Sequence, residues 1–247
     1  LSSLRSKDSE LQKLHLQTLL NHSATMEKLG SPADSLRCKE QAYQALQNYI
    51  RDPGFDDLRL KCLIELSYHQ AEHLGDKVEA LKLSSQALKL AQRLKDESEA
   101  KYVKYYVAIL VNTAIWVDDV DTAISYERKA LEIVGNLIKQ NRALWVIHYA
   151  TCLNNLAFSY EEKGQFAEAE AIFTDVLEDV RGRYHEDKDR WTRAYSKSLT
   201  NIAQFHLNRQ HIELAIENFA EALEIIAIKY RANPKDWADQ YLKNTMN

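Results

Sequence analysis

Glycine and proline are scarce in this 247-residue chain, six and three of them. Together they make about 4% of the residues, where roughly 12% is usual. So few breakers leave no room for the many turns of a sandwich or barrel. Three cysteines, Cys38, Cys62 and Cys152, are too few and too scattered for a disulfide framework or a zinc site. They read as small apolar fillers in a reducing compartment. No uninterrupted apolar run reaches the ~18 residues that cross a bilayer. A basic excess is missing too: the formal net charge is −4 and the pI near 6.1, with no electrostatic footprint for nucleic acid. There is no Gly-rich phosphate loop and no Gly-x-Ser-x-Gly elbow. The start, Leu1-Ser2-Ser3-Leu4-Arg5, has neither an initiator Met nor a signal-peptide pattern, and Asn21-His22-Ser23 matches a glycosylation sequon without secretory context. These absences predict a cytoplasmic chain, cut from a longer protein, with neither a membrane nor a nucleic-acid partner.

What is present is 45% hydrophobic residues, enough for a sizeable core, arranged in a repeat. Leu153-Asn154-Asn155-Leu156-Ala157 is followed by Tyr160, Gly164, Ala169, Phe173, Val176 and Leu177. A shift of 46 residues gives Leu199-Thr200-Asn201-Ile202-Ala203, His206, Gln210, Ala215, Phe219, Ala222 and Leu223. Trp-x-x-x-Tyr pairs recur at Trp145/Tyr149, Trp191/Tyr195 and Trp237/Tyr241. A small residue followed by Leu, as in Ala45-Leu46, Ala87-Leu88, Ala130-Leu131, Val176-Leu177 and Ala222-Leu223, recurs at intervals of 42, 43, 46 and 46. Each unit is expected to hold two helices. Short turns are predicted at Gly30-Ser31-Pro32, Gly75-Asp76, Asp118-Asp119, Gly164-Gln165 and Arg209-Gln210. Longer connections are predicted around Asp52-Pro53-Gly54, Lys95-Asp96, 135–141, 184–189 and Asn233-Pro234.

The pattern Leu-x-x-Leu-Ala-x-x-Tyr-x-x-x-Gly, then Ala-x-x-x-Phe-x-x-Val, resembles the tetratricopeptide repeat, whose ordinary unit is about 34 residues. Units of 42–46 with a doubled Asn before Leu-Ala are more similar to the long repeats of kinesin light chains and many bacterial multidomain proteins. The resemblance is strongest over 142–231, weaker over 60–141, and over 1–50 rests on period and helix pattern. Glu127 and Ser84 depart from it, standing where the family has an aromatic. The resemblance implies an all-α, right-handed superhelical solenoid of five helical hairpins plus the first helix of a sixth. One domain is expected over 1–247, with units at 9–51, 56–95, 99–139, 142–184 and 189–231 and a partial unit at 235–247.

At about 100° per residue, Thr151, Asn155, Phe158 and Glu162 lie nearly opposite the packed side of their helix. Lys197, Asn201, Gln204 and Asn208 form the corresponding set, as do Tyr105, Ile109, Asn112 and Trp116. In the resembling family this stripe lines a concave groove whose asparagines hold an extended peptide by its backbone. An Asn amide offers both donor and acceptor. The resemblance puts Asn155 and Asn201 in that place, with Asn154 beside them and Asn112 one turn along. The same amides also suit bonds to neighbouring helices or water. Trp145, Trp191 and Trp237 recur at helix starts and read as joint packing. An exposed Tyr105–Ile109–Trp116 stripe would make a hydrophobic pocket in the third unit.

His69-Gln70-Ala71-Glu72-His73 spells the H-x-x-E-H pattern of a zinc-protease family. A third ligand and a catalytic scaffold are missing from its surroundings in sequence, so it reads as a polar pair on a repeat helix. His206 takes the place of core Tyr160 and reads as a buried histidine. Residues 142–188 carry a net −4 and 189–247 a net +1, mostly on positions expected to be solvated. No catalytic residue, cofactor or metal is expected. The expected function is a non-catalytic scaffold that binds a peptide or protein segment in the groove. The alternative is a regulatory arm that transmits partner binding to a fused NTPase, protease-like or DNA-binding effector in a larger signalling protein.

Overall fold

The computed structural model describes the backbone of residues 2–245 and the side chains of residues 8–238 and of Leu242; Tyr241, of the third Trp-x-x-x-Tyr pair, lies outside these described side chains. Among the described residues there are eleven α-helices, one 3-10 turn at Pro53–Phe55 and no strand. The helices are α1 Ser2–Lys28, α2 Pro32–Gln47, α3 Asp56–Glu72, α4 Lys77–Glu97, α5 Glu99–Trp116, α6 Val120–Gln140, α7 Arg142–Glu162, α8 Phe166–Glu186, α9 Lys188–Asn208, α10 Ile212–Ala232 and α11 Pro234–Thr245. The chain forms two compact units, Leu1–Asp118 and Asp119–Asn247. Within each, every helix packs against the one before and the one after, and first helices of successive hairpins touch: α1 with α3, α3 with α5, and α7 with α9.

The longer connections expected around 95–96, 135–141 and 184–189 are absent; each is a single extended residue. Ser98, Asn141, Asp187 and Asn233 share one backbone geometry, φ between −154° and −146° and ψ between 84° and 89°. Each closes the helix behind it, its N–H donating to the carbonyl four residues back (Leu94, Leu137, Arg183 and Lys229). Ser98, Asn141 and Asp187 also open the next helix, since their carbonyls accept from the N–H of Tyr102, Trp145 and Trp191. Asn141 and Asp187 add a side-chain cap, accepting from the N–H of Leu144 and Arg190. Tyr102, Trp145 and Trp191 are all buried beside these joints. Gly135 belongs to α6 rather than to a loop, and a Cβ there would meet only Tyr149 at an ordinary 3.7 Å.

Turns inside the hairpins fall where glycine announced them. Gly30, Gly75 and Gly164 take φ of 69° to 81°. After Gly30 and Gly164, Ser31 and Gln165 donate back to Met26 and Tyr160, the bond that ends a helix on a left-handed residue. The last hairpin does the same without glycine: Gln210 sits at φ 61° and His211 donates to His206. The third turn takes another route, with Asp119 capping Thr122.

Small residues let the helices approach. Ala42, Ala87, Ala130, Ala157, Ala169 and Ala203 are fully buried. In the second unit the Phe173 ring sits between Phe158, edge-on at 4.9 Å, and Phe205 at 5.6 Å, joining α7, α8 and α9. The Tyr195 hydroxyl donates to Glu221 at 2.5 Å and accepts from Arg181 at 2.8 Å, tying α9 to α10 and α8. Glu127 is the exception in this core. It is 2% exposed; one carboxylate oxygen accepts from the Ser159 hydroxyl at 3.0 Å and the other has no partner among the described residues. Burial pushes its pKa from the ordinary 4.5 up to about 7, against the Ser159 bond and helped by the charge of Glu162.

Two outcomes follow for stability. Left-handed backbone costs a side chain about 1–2 kcal/mol, partly offset by the extra freedom glycine gains on unfolding. Gln210→Gly is therefore expected to stabilise the protein by roughly 0.5–1 kcal/mol in urea melts, and Gly164→Ala to destabilise it by a similar amount. For Glu127 the native state holds a proton that the unfolded chain releases between 4.5 and about 7, so stability falls as pH rises through that window and levels off above it. Glu127→Gln should flatten this slope and exceed the parent by roughly 2 kcal/mol near pH 8, as urea midpoints at about pH 5 and about pH 8 would show.

Candidate functional site

In the second unit α7 and α9 are parallel first helices, each started by its one-residue joint, with α8 behind them. Between them lies a narrow cleft of about 50 Å³. Ile147, Ala150, Thr151 and Asn154 line it from α7, Ala194, Lys197 and Ser198 from α9, and Val180 and Trp191 complete it. Its polar groups are unevenly satisfied. Thr151 donates to the Ile147 carbonyl at 2.9 Å, and the Asn154 amide nitrogen to the Ala150 carbonyl at 2.9 Å. Asn154 Oδ1, buried, has no partner among the described residues. Lys197 is exposed at the same cleft, and Ile147 is 46% exposed beside it.

Further along the same two helices the polar groups satisfy one another. Gln204 donates to Asn208 Oδ1 at 2.8 Å, and Asn208 donates across to Glu161 at 2.9 Å. Asn155 and Asn201 are half-buried, and Asn201 Nδ2 has no partner among the described residues. Phe158 is half-buried and turned towards Phe173, so its ring serves the core as much as the surface. Of the residues expected on this face, Thr151, Asn154 and Lys197 therefore converge on one cleft, while Gln204 and Asn208 form a closed bridge. Ile147, Ala194 and Ser198 were not anticipated. The 46-residue shift that pairs Thr151 with Lys197 contains the signal, because equivalent positions of neighbouring first helices face each other.

The first unit corrects the stripe expected on α5. Tyr105 is 37% exposed and Asn112 half-buried, but Ile109 and Trp116 are 2% and 3% exposed. Trp116 Nε1 donates to Glu72 on α3 at 3.0 Å, so this ring closes an inter-helix contact and forms no pocket for a partner. Apolar side chains surround α5 on nearly every side, and periodicity alone does not single out its free face. Tyr105 instead borders a polar cleft of about 320 Å³ with Lys61, Lys101 and Lys104. There Asp57 accepts from Lys101 at 2.6 Å and from the Tyr102 hydroxyl at 2.5 Å; burial would raise its pKa, but these two bonds hold it below the usual range.

His206 lies on α9 and His69 on α3, both first helices, and His73 caps the C-terminal end of α3. His206 is buried, its pKa lowered by burial. His69 is 1% exposed, and burial, with the nearby Lys39 and His73, lowers its pKa, so that it is neutral at neutral pH. His73 is exposed. Glu72, the acid of the H-x-x-E-H pattern, is engaged by Trp116. Burial pushes the Cys152 thiol on α7 up to about 12, helped by Glu127, which leaves it protonated and unreactive.

Residues 150–187, which contain the cleft residues Thr151 and Asn154, match the tetratricopeptide repeat family. No curated protein matches the sequence significantly. Solved structures match in fold. A Q17M variant of the nearly identical TPR-like repeats of a putative kinesin light chain from Podosopora anserina superposes with a TM-score of 0.64 at 17% identity, covering 87% of this chain and 96% of that one. BtubC (BKLC) from P. vanneervenii superposes with a TM-score of 0.66 at 18% identity, over 92% of this chain and 86% of that one. Both comparisons cover hairpins of each compact unit, well beyond the matched repeat. Residues 150–187 thus carry a tetratricopeptide repeat, and the fold of the chain is similar to that of the kinesin-light-chain TPR-like repeats.

Proposed function

We propose that this chain is a non-catalytic scaffold that holds an extended protein segment along the α7–α9 face. The observation that carries the reading is the unpartnered Asn154 Oδ1 in the cleft. A buried acceptor left unpaired costs about 1–3 kcal/mol, and a peptide N–H brought to the cleft would recover it. Asn201 Nδ2, on the neighbouring first helix, is a donor in the same condition. One acceptor and one donor are what a peptide unit requires, whatever side chain it carries. Lys197 at the same cleft favours an acidic side chain or a carboxylate, and Ile147 offers an apolar contact. A protein partner rather than a small molecule suits so narrow and elongated a surface. Among the described residues no helix is long and apolar enough to cross a membrane.

Peptides selected on the full chain from a random display library would test this, with affinities read by fluorescence anisotropy. Asn154→Ala and Lys197→Ala are each expected to weaken binding about tenfold, and Gln204→Ala to leave it unchanged. Asn154→Ala should move the melting temperature little, because removing the unpaired acceptor offsets the lost amide bond to the Ala150 carbonyl. Selected peptides that bind Asn154→Ala as tightly as the parent would place the binding surface elsewhere.

A further inference from the structure

We propose that the first unit carries a binding site for a zinc-class divalent metal, formed by Glu27 on α1, His69 on α3 and His73 at the C-terminal cap of α3. One ligand atom of each lies within 4.8 Å of the others. His69 is 1% exposed and its Nδ1 has no hydrogen-bond partner among the described residues. That nitrogen points at Glu27 Oε1 from 3.7 Å, too far for a hydrogen bond. The His69 and His73 rings lie 4.7 Å apart, one helical turn from each other.

Zinc bonds of about 2.0–2.1 Å in tetrahedral geometry set ligand atoms roughly 3.3 Å apart. The cluster therefore has to close by up to about 1.5 Å. Glu27 and His73 are exposed and can make that adjustment by side-chain rotation, while buried His69 stays fixed. Two imidazoles and one carboxylate select zinc, copper(II) or nickel(II) over calcium and magnesium, which take oxygen ligands. The Lys39 ammonium pairs with Glu27 Oε1, the oxygen that faces His69, so a metal would take that oxygen and leave Lys39 to orient the carboxylate from outside. Glu65, one turn before His69, adds a second acid whose Oε2 is buried without a partner among the described residues. Glu72, the acid of the H-x-x-E-H pattern, is held by Trp116, and the role is structural: the metal staples α1 to α3, first helices of successive hairpins.

The test uses the full chain with Zn²⁺ alone, titrated by calorimetry, and Co²⁺ as a spectroscopic substitute. One zinc per chain is expected, with a rise in melting temperature on loading and a Co²⁺ spectrum free of thiolate charge-transfer bands. His73→Ala changes only an exposed side chain, so its metal-free melting temperature should match the parent while zinc affinity falls by at least about 100-fold. Glu27→Gln should lower the affinity in the same direction, independently of the imidazoles. Parent-like zinc affinity in His73→Ala, thiolate bands pointing to Cys38 or Cys62, or no saturable zinc binding would each overturn the proposal.

Discussion

Every hairpin boundary from the second unit of the repeat onward rests on one extended residue that ends one helix and begins the next. With no loop between them, the direction of the incoming helix follows from two dihedral angles and two backbone hydrogen bonds. Ser98, Asn141, Asp187 and Asn233 hold those angles within a few degrees of each other, so the geometry is repeated wherever the joint is. In three of the four the N–H of the aromatic four residues on closes the first turn, and that ring is buried beside the exposed joint residue. An aromatic at helix starts is therefore a packing requirement, as the tryptophan pairs imply.

Fixed joints make residues one period apart neighbours. Asp57 meets Lys101 and Tyr102, Glu72 meets Trp116, Asp121 meets Lys163, and Glu161 meets Asn208, all at separations of 42 to 47 residues. Glu27 and His69, 42 residues apart, obey the same rule. The candidate cleft is a further instance, built where Thr151 and Lys197 come face to face. Most such pairs are exposed and contribute little energy singly. Their regular spacing keeps successive first helices in register.

The hairpins and their turns were legible because glycine at a left-handed position and the small-residue stripe leave strong marks in the sequence. The joints were not, since their signal is one ordinary polar residue; Gly135 suggested a break where α6 simply continues. On α7 and α9 the 46-residue shift sets Thr151 and Lys197 at equivalent positions, and with Asn154 they line one cleft. On α5 periodicity failed: its apolar residues run all round, and Ile109 and Trp116 went inside. Nor did sequence reveal which amides were already engaged. Gln204 and Asn208 bond each other and Glu161, whereas Asn154 keeps an open acceptor. Such a distinction depends on side chains of another repeat.

Helix lengths show how the period changes. Second helices α4, α6, α8 and α10 are all 21 residues long, and the last three turns are three residues each. First helices carry the variation, 18 residues in α5 but 21 in α7 and α9, and this alone moves the spacing of the joints from 43 to 46. The stretch from residue 142 to the joint at Asp187 is thus a self-contained cassette, bounded on both sides by the same backbone geometry. Gene duplication or a protein engineer can copy or excise it without designing a loop, whereas one residue inserted within a helix would turn everything after it by about 100°. The architecture tolerates changes of length in whole cassettes and resists them in single residues.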